Sequence, residues 1–360
     1  MRKLFTKERL AGALTPMLII LAAFLFISIL LLVIGMNPLT TYGSMISGAF
    51  GSGMGLINTI TKTVPICLCA MGVAIARQTG IFNIGLNGQM MVGAVGTVIA
   101  GVYLKGLPMI VHVPLALLAG MLFAVVYALF PTIAYIKRGV NLIVIFILTN
   151  NMANKLITWA IFSFLRDPES QSNATYRVEN SAILPNLLTK PGRLNIGVLI
   201  MLVIVVIMYI YSYKTTSGFE MRACGSNRIA AEYAGINSAR YLSSSLLIGA
   251  ALAGLAGGIE VLGTYYRLYD GFSPAYGFDG IPIALLSGGN PIGIVIGSFV
   301  FGALRVGSAN MQIKVGVSSE LVSVIQGVLI CFIALEYIFR FAAGKIVSGK
   351  SRHRKEAASR

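Results

Sequence analysis

The side chains able to do chemistry in this 360-residue chain are few and clustered. The stretch ARQTGIFNIGLNGQMMVGAVG, residues 76–96, sets Arg77, Gln78, Asn83, Asn87 and Gln89 among Gly80, Gly85 and Gly88. Amides at this density either hydrogen-bond a polar solute or satisfy backbone groups freed where glycines break a helix. A second group is TNNMANK, residues 149–155, where Asn150, Asn151 and Asn154 are spaced to share one helical face. A third is GFDGIPIALLSGGNPIG, residues 277–293, which carries Asp279 and Asn290 among glycines and prolines. Glu260 stands in an apolar run. It is either a functional group inside a membrane or a helix-end residue reaching water.

Other chemistries are missing. No Ser/His/Asp set or carboxylate pair points to catalysis. Nothing reads G-x-x-x-x-G-K-[ST], and GSGMG at 51–55 has no Lys after it, so no phosphate-cradling loop is expected. The four cysteines, Cys67, Cys69, Cys224 and Cys331, form no C-x-x-C pair, and only His112 and His353 could join them. That excludes a metal site or disulfide framework and leaves the cysteines as small helix-packing residues.

The elements that must position these residues are membrane helices. Hydrophobic residues make up 56% of the chain and charged ones 11%, against about 25% charged in a soluble domain. Runs such as LTPMLIILAAFLFISILLLVIG, residues 14–35, exceed the roughly 20 residues that span a bilayer core. The reading is an all-α polytopic membrane protein of about ten segments. They fall near 14–35, 60–77, 84–104, 112–136, 140–164, 195–213, 241–262, 280–288, 290–307 and 320–341. The eighth is too short to span and is expected to be a half-helix or re-entrant piece, joined to the ninth as a broken unit.

The net charge of +16, from 28 basic and 12 acidic residues, sits at the termini and in loops. Such placement is an orientation signal rather than a nucleic-acid patch. Arg2, Lys3, Lys7 and Arg9, then Lys137 and Arg138, then Lys214, Arg222, Arg228 and Arg240, then Arg340 to Lys355 all fall on one side if both termini are cytoplasmic. The charge-free stretch 36–58 and the mixed-charge loop 165–194 then lie outside. Lys62, Lys105 and Lys314 are exceptions. Small residues at i, i+4 spacing (Gly249, Ala253, Gly257; Gly254, Gly258; Gly289, Gly293, Gly297) predict close helix crossings. Two interrupted apolar segments, around residues 80–88 and 277–293, point to a central pathway.

The longest inner loop, KTTSGFEMRACGSNRIAAEYAGINSARY (214–241), predicts a short helix starting near Arg228. Ser226 or Asn227 would cap it and Gly235 would end it. Ile229, Ala230, Tyr233 and Ala234 would form a small apolar face, suited to docking a soluble partner.

Four stretches, RQTGIFNIGLNGQMMVGA, TSGFEMRACGSNRIAAEYAGI, AALAGLAGGIEVLGTY and GFDGIPIALLSGGNPIG, together resemble the permease subunits of bacterial ABC importers in the ribose/autoinducer/nucleoside branch. The resemblance covers residues 15–345 and is nearest to the larger permease of nucleoside importers served by a lipoprotein binding protein. It implies a single permease domain over 1–360. Within it, 10–345 would form the bundle, 214–240 a cytoplasmic coupling loop, 165–194 an extracellular loop and 346–360 a basic cytoplasmic tail. Glu220, Arg222, Gly225, Asn227, Ala231 and Gly235 match the segment that seats in the ATPase. FNIGLNGQ matches the central motif at Phe82, Asn83, Gly85, Gly88 and Gln89. The chain departs from the family pattern at Asn87, where Glu is usual, and at Pro282 and Ser287.

The translocation path is therefore expected at Phe82, Asn83, Asn87, Gln89, Asn150, Asn151, Glu260, Asp279 and Asn290, with aromatic stacking on Phe82, Tyr265 or Tyr266. No cofactor is expected in this chain; ATP and magnesium belong to a partner ATPase. Implied partners are that ATPase, a second related permease, an extracellular lipoprotein, membrane lipid and a nucleoside. The location implied is the bacterial cytoplasmic membrane. A sugar permease of the same branch, such as one for ribose, and an ion-coupled carrier are the alternatives.

Overall fold

A computed structural model describes residues 22–272 and 275–318, with 321, 324, 327, 328, 331 and 332. The chain is mostly helical: α1 (Ala22–Val33), α2 (Pro38–Phe50), α3 (Gly53–Gln78), α4 (Leu86–Tyr103), α5 (Met109–Arg138) and α6 (Leu142–Ala160) come first. After α6, a π-turn (Ile161–Leu165) and a two-stranded antiparallel ribbon, β1 (Asn186–Leu188) with β2 (Leu194–Asn195), lead to α7 (Gly197–Lys214). Then follow α8 (Thr216–Ser226), α9 (Arg228–Tyr233), α10 (Ser238–Glu260) running into a second π-turn (Val261–Tyr265), α11 (Tyr276–Leu286) and α12 (Pro291–Val315).

Among the described residues seven helices are long and apolar enough to cross a membrane, or up to eight if the bent pair α1 and α2 counts as one span. The first part of segment 14–35 and most of 320–341 lie outside the described residues. The charge-free stretch 36–58 forms α2 and the first turns of α3. Absence of charge there reflects apolar helix. As read, segment 280–288 is too short to span, because α11 has 11 residues.

The chain divides into two compact units, 49–306 and the flanking ends. In the flanking unit, α1 and α2 meet at 120° around Gly35 (φ 84°), and the Asn310 amide donates to the Ser44 carbonyl at 2.6 Å.

In the unit 49–306, α3, α4 and α10 form the centre, with 83% of their apolar windows buried; the figure falls to 22% for α7, whose sides are apolar throughout. Helix contact in lipid is driven by close packing, because acyl chains compete equally for apolar surface. The expected small-residue stripes of α10 do this, whereas Gly289, at φ 82° ahead of α12, meets nothing within 4 Å. A Cβ on Gly93 of α4 would strike the Gly254 backbone, and one on Gly254 would strike the carbonyl of Gly120 in α5. Three backbones therefore cross with nothing between them. Gly257 lies in the same way on Met90 of α4, and Gly280 of α11 on Cys69 and Ala70 of α3.

The two long connections sit at opposite ends of α10. The 165–194 loop hydrogen-bonds the segment around its C-terminal end: Leu184 N–H to Leu262 C=O (3.1 Å), Val178 N–H to Tyr266 C=O (2.9 Å) and Thr175 N–H to Leu268 C=O (2.9 Å). The 214–240 loop meets its N-terminal end, where Arg228 donates to Ser238 at 3.1 Å.

Candidate functional site

The break between α3 and α4 is built from the amides read in the sequence. Gly80 takes φ 79° and turns the chain out of α3. The Asn83 amide donates to Gln89 Oε1 (3.1 Å), and its oxygen accepts the Gly85 N–H (3.0 Å). From α6, Asn150 Oδ1 accepts the Gly88 N–H (2.8 Å) while its Nδ2 donates to the Ile84 carbonyl (3.0 Å). All three side chains are buried. They satisfy the backbone groups that the break releases, which is what such a break at membrane depth requires. Asn87 is also buried, its backbone pressed against Gly277 of α11. Phe82 is 40% exposed.

Two expected members are not brought to this cluster. Asn151 is exposed and donates to the Ile147 carbonyl (3.1 Å). Adjacent residues on a helix point about 100° apart, so Asn150 and Asn151 cannot serve one face. Asn154, one turn on, is half-buried and bonds the Asn150 carbonyl (3.3 Å). Asn290 is exposed at the start of α12, where its Oδ1 accepts the Ile292 N–H (3.0 Å) as a helix cap.

Glu260 and Asp279 belong to a buried charged array spanning four helices. Lys62 of α3 donates to Glu260 Oε1 at 2.5 Å, and the Tyr276 hydroxyl of α11 donates to the same oxygen at 3.1 Å. Arg305 of α12 donates to Asp279 Oδ2 at 2.5 Å and stacks 4.5 Å above the Tyr276 ring. Lys62 Nζ lies 5.2 Å from the Tyr265 ring centre and 5.7 Å from that of Tyr276. Tyr276 is thus held between two cations, and the charges of the two pairs cancel. Taking such pairs out of water is costly unless geometry is good, and removing one partner strands the other. Sequence reasoning missed Lys62, Tyr276 and Arg305. Lys62 was set aside as an orientation exception, although an ionisable residue well inside a 26-residue apolar helix was itself the signal.

The third feature is the 214–240 loop. As expected, Asn227 caps α9, its Oδ1 accepting the Ala230 N–H (3.0 Å). Gly235 at φ 82°, a conformation that favours glycine, closes it with Ile236 N–H bonded to the Ala231 carbonyl (3.0 Å). α8 was not foreseen. Within it Gly225 lies against the α3 terminus, where a Cβ would strike the Gln78 carbonyl. Glu220 and Arg222 are half-buried and Ala231 is buried, whereas Ile229 and Tyr233 stand out at 68% and 91% exposed. Arg228 donates to Glu232 at 3.3 Å, and Ser238 donates to the same carboxylate oxygen. These contacts fasten α9 to the first turn of α10. The Ser238 hydroxyl, followed by the Arg228 guanidinium, holds the Glu232 carboxyl below its ordinary value.

A lipid-matched helical bundle, broken by amides at one end and holding neutralised charge near the other, is the build of a transport protein. Residues 55–334 match the family described as the permease component of the branched-chain amino acid transport system, and the chain belongs to that family. It is an integral membrane transport subunit and not an enzyme.

The individual relatives narrow this further. The chain is 35% identical to the guanosine ABC transporter permease protein NupP of Bacillus subtilis, over 94% of this chain and 98% of that one. It is 32% identical to the nucleoside ABC transporter permease protein NupB of Lactococcus lactis, over 90% and 91%. With the glucose ABC transporter permease protein TsgB13 of Haloferax volcanii it shares 31%, over 92% and 89%.

Proposed function

We propose that this chain is the membrane-spanning permease of an ATP-driven importer and carries nucleosides across the bacterial cytoplasmic membrane. The observation that carries the reading is the near full-length similarity to NupP and NupB, whose names give guanosine and nucleosides as their solutes. The fold supports it. The α8–α9 loop sits at the end of α10 opposite the 165–194 loop, as a motor-facing and an outward-facing connection must.

In this reading the bundle has about ten segments, with broken helices and both termini in the cytoplasm. The α8–α9 loop seats in a separate ATPase through Glu220, Arg222, Gly225, Asn227, Ala231 and Gly235, and that ATPase holds ATP and magnesium. A second related permease completes the conduit, and a lipoprotein outside delivers the solute. ATP closes the ATPases, α9 moves with them, and the two permeases rock about the central cavity. The path runs past Phe82, Asn87, Glu260 and Asp279. Asn83, Gln89 and Asn150 shape it by holding the break. Weak polar contacts suit a conduit, because a tightly held solute would not leave.

The glucose permease relative favours a second reading, transport of a simple sugar. Vesicles holding the permease pair, ATPase and binding protein test both. ATP-dependent uptake of labelled guanosine that excess adenosine suppresses and excess glucose or ribose does not supports the nucleoside. Suppression by the sugars alone reverses the assignment.

A further inference from the structure

The Lys62–Glu260 pair has hydrogen-bonding capacity that the fold does not use. Both bonds to Glu260 land on Oε1, and among the described residues Oε2 accepts none, although the side chain is 1% exposed. An ammonium has three donor hydrogens, and among the described residues Glu260 and the Tyr276 hydroxyl are the hydrogen-bond partners of Lys62, which leaves one donor unused. Lys62 also keeps 24% of its side chain accessible. Four residues beyond Glu260, the Thr264 hydroxyl is buried with no partner among the described residues. All this occurs where α10 widens into the π-turn Val261–Tyr265, a feature frequent at functional sites. Beside the ammonium stands Tyr265, half-buried and in edge contact with Phe272 (5.8 Å) and Tyr269 (6.4 Å).

We propose that Glu260, Lys62 and Thr264 bind the vicinal hydroxyl pair of a ribose as the solute passes, with Tyr265 against its apolar face. This rests on the nucleoside reading and adds which part of the solute the permease reads. A carboxylate oxygen accepts from one hydroxyl, and the ammonium donates to the oxygen of its neighbour. The threonine hydroxyl, donor and acceptor at once, serves either. The array as a whole is neutral, which suits an uncharged nucleoside. A nucleoside phosphate would bring its charge toward Glu260 and Asp279 and is disfavoured.

The test compares uptake of guanosine and 2′,3′-dideoxyguanosine by vesicles holding the whole importer. Every variant works with the same binding protein, so a change in the ratio of the two rates arises in the permease. Losing hydrogen bonds to a charged group is expected to lower that ratio by about tenfold in Glu260→Gln combined with Lys62→Met. Thr264→Val, which leaves the ion pair intact, is expected to lower it by roughly threefold. A fall in either variant supports the site, and an unchanged ratio in both overturns it. Failure of the unaltered importer to take up either compound with ATP overturns instead the nucleoside reading beneath it.

Discussion

Replacing Lys62 by Met is the perturbation whose size the structure defines best. The ammonium lies 2.5 Å from Glu260 Oε1, and Glu260 is 1% exposed. Removing one partner of a buried pair costs about 3–5 kcal/mol, because the remaining charge is stranded away from water. Lys62 is 24% exposed, so solvent already screens part of the interaction and the lower end, about 3 kcal/mol, is expected. Adding Glu260→Gln removes the stranded charge, and the double variant is expected within about 1 kcal/mol of the starting protein. The second substitution then recovers about 2 kcal/mol of the loss caused by the first. Thermal unfolding of the purified chain in detergent micelles measures it. At about 2 °C per kcal/mol for a chain of this size, the single variant loses roughly 6 °C and the double regains most of it. A double variant melting as low as Lys62→Met would refute the reasoning and assign the loss to the packing of the lysine stem.

The break between α3 and α4 is expected to lose about 2–3 kcal/mol in Asn150→Ala, which orphans the Gly88 N–H and the Ile84 carbonyl. Faster amide exchange confined to residues 84–88 would register it. Gly225→Leu, whose side chain meets the Gln78 carbonyl, is expected to abolish uptake while the protein reaches the membrane in normal amount; normal uptake would detach this loop from the motor. The tie between α9 and α10 has a pH signature. Because the folded protein holds the Glu232 carboxyl below its ordinary 4.5, its contribution is complete above that value and is lost as pH falls through the lower folded value. Exchange protection of residues 228–238 is expected to be constant from pH 7 to about 5 and to drop on further acidification. A drop between pH 7 and 5 would contradict the tie.

What could be read in advance followed local rules. Apolar length marked the spanning helices, and glycine spacing marked the close-packed face of α10 at Gly254 and Gly257, since both signals lie within single segments. The cap at Asn227 and the stop at Gly235 were legible because helix ends are written in a few adjacent residues. The charged array was not. Lys62, Glu260, Asp279 and Arg305 lie on four helices, and nothing in a one-dimensional pattern says which basic residue meets which acid. Asn290 was ambiguous for a different reason: a polar residue between glycines and an apolar helix reads equally as a solute contact or as the cap it forms. The helix α2 was hidden because an apolar stretch without charge carries no sign of its side of the membrane.

α10 joins the two ends of the molecule as one unbroken rod. Ser238 fastens its first turn to α9, and Glu260 ends it. At 1.5 Å per residue the separation is roughly 33 Å, so a tilt of about 5° about one end carries the other about 3 Å. That travel exceeds the length of the Lys62–Glu260 bond. A small push on the exposed tip formed by Ile229 and Tyr233 therefore has leverage enough to part a contact on the far side, with no relay of side chains in between.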